Sequence, residues 1–197
     1  MFLFPYKSKS AFSHELYFVE KLFSLGARTP LVVSLCQISK KTAIRLYKAI
    51  HHQSPKQGML PYDPLWIIHS SVNNLHASIF LGIFQDLSDL QKQEDANVHL
   101  FITAYELYCQ VVSNNPRPSK LEKRITRFIL LDINRAWQLV HQFNSSALTL
   151  VICNKCQARF LRLNTRTDPF QQCPICEVWA DRTGRHRWIT VKQRQIV

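Results

Sequence analysis

Glycine is scarce, with four in 197 residues, and none forms a phosphate-binding loop, since no Gly-x-x-x-x-Gly-Lys run occurs. Long apolar runs are missing as well. A membrane-crossing helix needs about eighteen uncharged residues, and Phe128-Ile129-Leu130-Leu131 already stops at Asp132. The N-terminal stretch Met1 to Lys7 is too short for a signal-peptide core and carries no cleavage-site pattern. These absences lead to the expectation of a cytoplasmic chain without membrane attachment. Enzyme signatures are equally sparse. His14-Glu15 is followed by Phe18 where a zinc-protease helix needs its second histidine. The His-x-Glu of a zinc deaminase is absent, the eight histidines form no recognisable pairing, and His76 reads as a satisfied interior residue. The expectation is a protein that is not an enzyme.

What is present begins with cysteine. Cys153, Cys156, Cys173 and Cys176 form two Cys-x-x-Cys knuckles separated by sixteen residues. That spacing suits a tetrahedral thiolate site for one Zn²⁺, and four sulfur ligands leave no position for water, so the zinc is expected to be structural. Two disulfides would need an oxidising compartment, and a redox pair would sit in a βαβ context that this segment lacks. Cys36 and Cys109 fall in apolar helical patterns and are expected as buried free thiols.

Charge is the second positive feature. Lys+Arg number 25 against 13 Asp+Glu, a net +12. The excess is uneven: residues 1–56 carry nine cations and two acids, residues 57–118 two and six, residues 119–150 five and two, and residues 151–197 nine and three. Two basic ends suit a polyanion, and the acidic middle suits a different partner. Four thiolates on one Zn²⁺ would make the C-terminal end less basic than its side-chain count.

The pattern along the chain is mainly α. A helix is expected from Phe12 to Leu25, stopped by Gly26, then a short one from Pro30 to about Cys36 with Thr29 as N-cap. Ser39 caps the next, with Ala43, Ile44, Tyr47 and Ile50 on its apolar face. Ser54 to Pro61 reads as a rigid loop. Asp63 is expected to cap a long helix running to about Asp86, and another spans roughly Ala96 to Ser113. Ser119-Lys120-Leu121-Glu122 is a capping box opening a helix whose stripe runs Leu121, Ile125, Phe128, Asp132, Ala136, Val140, Phe143. Leu148 to Ile152 and Phe160 to Leu163 read as the hairpin of a zinc-ribbon-like unit. The expected architecture is a helical domain over 1–146 containing a helix-turn-helix-like segment, and a four-cysteine zinc module with a basic tail over 147–197.

The helix pair from Thr29 to Ile50 would offer Lys40, Lys41, Thr42, Arg45 and Lys48 to a DNA groove; the same residues could also be an ordinary solvated basic face. Around the knuckles, Arg159, Arg162, Arg182, Arg185 and Arg187 suit phosphate or guanine contacts, because a guanidinium donates in a bidentate fork. Trp179 and Trp188, among these charges, could stack on bases or pack a small core.

Several segments resemble the flagellar transcriptional regulator FlhC family. They are Leu25-Gly26-Ala27-Arg28, Arg45-Leu46-Tyr47-Lys48, Pro55-Lys56-Gln57-Gly58-Met59-Leu60-Pro61, His76-Ala77-Ser78, Tyr105-Glu106-Leu107-Tyr108 and Arg135-Ala136-Trp137-Gln138-Leu139-Val140, ending at the four cysteines. The resemblance implies a bacterial activator that binds zinc through Cys153, Cys156, Cys173 and Cys176. It also implies a hetero-oligomer, expected as a heterohexamer, with the helical partner FlhD, which binds promoter DNA and recruits RNA polymerase to flagellar operons. Relatives on conjugative plasmids and integrative elements switch on transfer genes instead. The stretch Glu177-Val178-Trp179-Ala180-Asp181 departs from the flagellar pattern, as does Pro64-Leu65-Trp66, which keeps the mobile-element reading open. A zinc-stabilised protein-interaction adaptor is the alternative from another class.

Overall fold

A computed structural model describes residues 9–56, 58–61, 63–91, 98–113, 131–164 and 173–176. The sequence capping box at Ser119, the tryptophans Trp179 and Trp188, and Arg182, Arg185 and Arg187 lie outside the described residues. The order is α1 (Lys9–Ser24), α2 (Thr29–Cys36), α3 (Lys40–His51), a 3-10 helix (Pro64–Ile68), α4 (Ser71–Gln91), α5 (Val98–Ser113), α6 (Ile133–Asn144), β1 (Leu148–Ile152) and β2 (Arg159–Leu163). The expected mainly helical architecture with a C-terminal cysteine cluster is what the structure shows.

Gly26 ends α1 as the sequence implies. At φ +87° it adopts the left-handed conformation, and its N–H donates to the Phe23 carbonyl while that of Ala27 reaches Leu22. This closes the helix with the paired bonds of a glycine stop. The chain then turns into α2, which begins one residue earlier than expected. Arg28, not Thr29, is the N-cap; its carbonyl accepts from Leu31 and Val32, and no side chain caps this end. Thr29 is instead the first helical residue and is buried. Gln37, at φ 52°, takes the left-handed position between α2 and α3. Ser39 caps α3 as expected, its Oγ accepting from the Thr42 N–H at 3.1 Å.

Two of the expected long helices are interrupted, each for a traceable reason. Asp63 does cap a helical turn, accepting from Leu65 N–H at 2.9 Å, but that turn is a 3-10 helix ending at Ile68. The Trp66 carbonyl accepts from the Asn73 side chain at 3.0 Å and from His69 N–H, and Ser70 Oγ then accepts from Val72 N–H to start α4 afresh. The second interruption falls at Asp132. Leu131 cannot continue a helix because α5 has taken both its backbone groups. Its N–H donates to Tyr108 Oη at 3.0 Å, and its carbonyl accepts from Tyr105 Oη at 2.9 Å. Asp132, placed by the sequence within the stripe of one helix, is extended and is the N-cap of α6; it accepts from Asn134 and Arg135 N–H at 3.0 and 3.2 Å.

The core centres on α4 and α5. Phe80 meets Phe101, Tyr105 and Tyr108 edge-on, and Phe101 meets Trp137 of α6 at 5.2 Å. Edge-to-face packing places the positive ring rim against a negative ring face. Leu148, Leu161 and Leu163 of the hairpin are buried in this same cluster. The strands are antiparallel, with Leu150 opposite Leu161 and Val151 opposite Phe160. Alternation along β2 therefore sends Leu161 and Leu163 towards the helices and Phe160 towards the cysteines. Among the described residues no helix is long and apolar enough to cross a membrane.

Candidate metal centre and basic surface

The hairpin strands bring the two knuckles together. All four cysteine sulfurs lie within 4.8 Å of one another. Cys153 Sγ is 3.8 Å from Cys176 Sγ, and Cys156 Sγ is 3.7 Å from Cys173 Sγ. A tetrahedral ion with metal–sulfur bonds of about 2.3 Å requires sulfur–sulfur edges of about 3.8 Å. The four thiols are thus placed to hold one metal ion, and the donor set of four sulfurs leaves no ligand position for chemistry. Cys153 and Cys173 are buried against Phe160, while Cys156 is exposed.

Backbone geometry prepares this site for thiolates. Gln157, left-handed at φ 60°, closes the first knuckle by donating to the Cys153 carbonyl at 2.9 Å. Lys155 N–H points to Cys153 Sγ at 3.4 Å. The N–H groups of Cys156 and Lys155 hold the Cys153 thiol down at about 6, whereas the neighbouring Cys156 sulfur pushes Cys176 up to about 12. Four sulfurs this close compete for negative charge, and a bound cation is what relieves the competition.

A ladder on α4 seats the hairpin. Asn74, Ser78, Gly82 and Asp86, four residues apart, share one helix face. Asn74 Nδ2 donates to the Leu161 carbonyl at 2.9 Å, and Leu161 N–H donates to Ser78 Oγ at 2.9 Å. Ser78 Oγ in turn donates to Asn74 Oδ1 at 2.9 Å, so both buried side chains and both Leu161 backbone groups are satisfied. Arg159 lies across Gly82 and pairs bidentately with Asp86, at 2.6 and 2.5 Å. The guanidinium bonds hold the Asp86 carboxyl below its usual range and raise Arg159.

The basic side chains singled out in the sequence are distributed differently. Lys40, Lys41, Arg45 and Lys48 on α3 are exposed; Thr42 is half-buried, its hydroxyl 2.8 Å from Ser39 Oγ as part of the cap. Lys40, Ile44 and Lys48 line a cleft of about 780 Å³ together with Lys56, Pro30 and Val33. Lys56 is not among the sequence candidates, although it sits in the quoted Pro55 to Pro61 segment. Arg159 is engaged by Asp86. Arg162, half-buried, falls an odd number of residues along β2 and so points to the opposite strand face from Arg159. Arg135 also escapes sequence reasoning: its guanidinium stacks over Trp66 at 4.6 Å. His76 behaves as an interior residue, Nδ1 lying 2.7 Å from Tyr108 Oη. The same hydroxyl accepts from Leu131 N–H, so His76 is tied into the network that holds Leu131. Cys36 and Cys109 stand outside any disulfide among the described residues, and both are half-buried rather than fully buried.

The profile described as Flagellar transcriptional activator (FlhC) matches residues 6–190. The Flagellar transcriptional regulator FlhC of Gallionella capsiferriformans (strain ES-2) is 32% identical over 155 residues, 79% of this chain and 79% of its own length. That of Verminephrobacter eiseniae (strain EF01-2) is 34% identical over 167 residues, 84% and 82% of the two chains. The FlhC of Pectobacterium carotovorum is 32% identical over 162 residues, 80% of this chain and 75% of its own. With a match along nearly the whole sequence and four cysteines assembled at its end, this chain belongs to the FlhC family of flagellar transcriptional regulators.

Proposed function

We propose that this chain is the DNA-binding subunit of a transcriptional activator, working in a hetero-oligomer with an FlhD-like helical partner to recruit RNA polymerase to flagellar promoters. The observation that carries the reading is the exposed basic face of α3, set behind a short turn from α2, in a chain whose relatives are named transcriptional regulators. Lys40, Lys41, Arg45 and Lys48 meet the DNA, with Thr42 holding the helix start, where backbone N–H groups favour phosphate. One structural Zn²⁺, held by Cys153, Cys156, Cys173 and Cys176, stiffens the second basic end. There Arg162, Arg182, Arg185 and Arg187 add contacts, and Arg159 acts through the position of the hairpin it anchors to Asp86. The acidic middle supplies the partner interface, for which α5 offers the exposed Leu107 and Val111.

The test is binding of fluorescent duplexes by the chain alone and co-expressed with an FlhD-like protein. Tight, sequence-selective binding to flagellar promoter DNA by the pair supports the proposal. Selective binding to conjugative-transfer promoters alone would move the regulon to a mobile element, and absence of DNA binding by the pair would leave an adaptor.

A further inference from the structure

A second cleft, of about 620 Å³, lies under the strap formed by Gln53, Pro55, Lys56, Met59 and Pro61, between the end of α1 and the start of α6. Its frame is built rather than incidental. Asn134, buried at the start of α6, accepts from Arg28 N–H at 2.7 Å and donates to the Gly26 carbonyl at 3.2 Å. Arg28 Nη1 donates to the Met59 carbonyl at 2.6 Å, tying the strap down. Gly58 adopts φ +128° beside that guanidinium, where a Cβ would stand 3.4 Å from Nη1. The strap's path therefore depends on a residue that can adopt this conformation.

Two features of the lining point to a ligand. The first is polar atoms without partners: Thr29 Oγ1 and His51 Nε2 are the buried side-chain atoms that lack a hydrogen bond among the described residues, and both residues line this cleft. Thr29 is 8% exposed, so solvent does not satisfy its hydroxyl. An unmatched buried polar atom is uncommon in a native fold, and two at one site call for a shared explanation. The second is charge. Arg28, Lys56 and Arg135 surround the cleft against one acid, Asp132, whose Oδ1 is already used by two N–H groups of the α6 start. The Arg135 guanidinium carbon lies over the Trp66 ring, a contact that uses none of its N–H donors. Burial lowers its pKa, while the Asp132 and Asp63 carboxylates act in the opposite direction.

The walls define the body of that ligand. Phe23 and Tyr47 meet edge-on at 5.1 Å, and Tyr47 lies 4.5 Å from the His51 ring, giving the cleft an aromatic lining, to which Pro55, Met59 and Pro61 add further apolar surface. We propose that this cleft binds a small aromatic anion: one flat ring carrying a single phosphate or carboxylate, the ring against this lining, the acid group on Arg28, Lys56 and Arg135. Thr29 and His51 supply the remaining polar contacts. The volume lies within the range of small-molecule sites, about 300–1,000 Å³. The proposal stands independently of the DNA-binding reading.

The experiment is calorimetric titration of the full chain with phenyl phosphate and, in parallel, inorganic phosphate. The expected result is one-to-one binding of phenyl phosphate at least about ten-fold tighter than inorganic phosphate, the ring accounting for the difference. Arg135→Gln should weaken it about ten-fold. Thr29→Val should weaken it several-fold while raising the Tm of the free protein, because the valine removes an unpaired hydroxyl. That rise in Tm keeps the test valid even if Arg135→Gln folds poorly. The proposal is overturned if phenyl phosphate binds no better than inorganic phosphate, or if Thr29→Val binds it as wild type does. It is equally overturned if an unlabelled DNA duplex displaces the ligand, which would make the cleft part of a DNA path.

Discussion

The α2–α3 pair and the β1–β2 hairpin are both basic, but their cations are used in different ways. On α3, Lys40, Lys41, Arg45 and Lys48 are exposed and form no ion pair with any described residue. On the hairpin, Arg159 is held by Asp86 of α4. The rigidity of the two regions also has different origins. The α2–α3 pair is held by ordinary packing against α1, with Phe23 on Tyr47, and by the Ser39 cap. The hairpin relies on a buried hydrogen-bond ladder and on four sulfurs that share one site. A count of cations would treat the regions alike. Their partners separate a surface available to a polyanion from one whose first duty is internal.

The largest effect expected from breaking this comparison is at the sulfur site. Cys156→Ser should release the metal and unfold the hairpin, since such sites supply on the order of 10 kcal/mol to small zinc modules. Leu148, Leu161 and Leu163 lie in the shared core, so the helical Tm should fall as well. Metal stoichiometry and a thermal melt check this; full zinc retention with an unchanged melt would refute it. Next is Ser78→Ala, which leaves Leu161 N–H and Asn74 Oδ1 without their partner in a buried setting. The cost should be about 1–3 kcal/mol, with faster amide exchange at Leu161 and little change at α3. Uniform loss of protection across both regions would mean the ladder is not specific to the hairpin.

A smaller effect is tied to pH. Burial lowers the His76 pKa below its ordinary 6.5. The unfolded chain therefore binds this proton more readily than the folded one, and stability falls as pH drops below about 6.5 towards the folded pKa. His76→Gln should flatten the dependence of Tm on pH in that window, relative to wild type. An unchanged slope would show that other groups govern it.

The sequence was most informative where structure is local. The Cys-x-x-Cys spacing, the Ser39 cap, the glycine stop at Gly26 and both strands each depend on residues within a few positions. Legibility failed where distant residues intervene. Nothing near Asp132 reveals that Tyr105 and Tyr108, 26 and 23 residues from Leu131, capture its backbone and break the expected helix. Likewise, Arg159 reads as one more cation until Asp86, 73 residues away, is placed beside it. The break before α4 was nearer the surface of the sequence: Ser70 and Asn73 are capping residue types, but the preceding Asp63-Pro64 start concealed them.

The central claim is that α3 carries the DNA contacts while Arg159 serves the hairpin. A salt titration of promoter binding by the partnered complex tests it most directly, comparing wild type, Lys40→Ala with Arg45→Ala, and Arg159→Ala. Each phosphate contact removed should reduce the slope of log affinity against log salt by about 0.9. The account predicts a slope shallower by about two contacts for the α3 double variant and a near wild-type slope for Arg159→Ala, whose hairpin melts earlier. A wild-type slope in the α3 double variant, with a flattened one in Arg159→Ala, would contradict it.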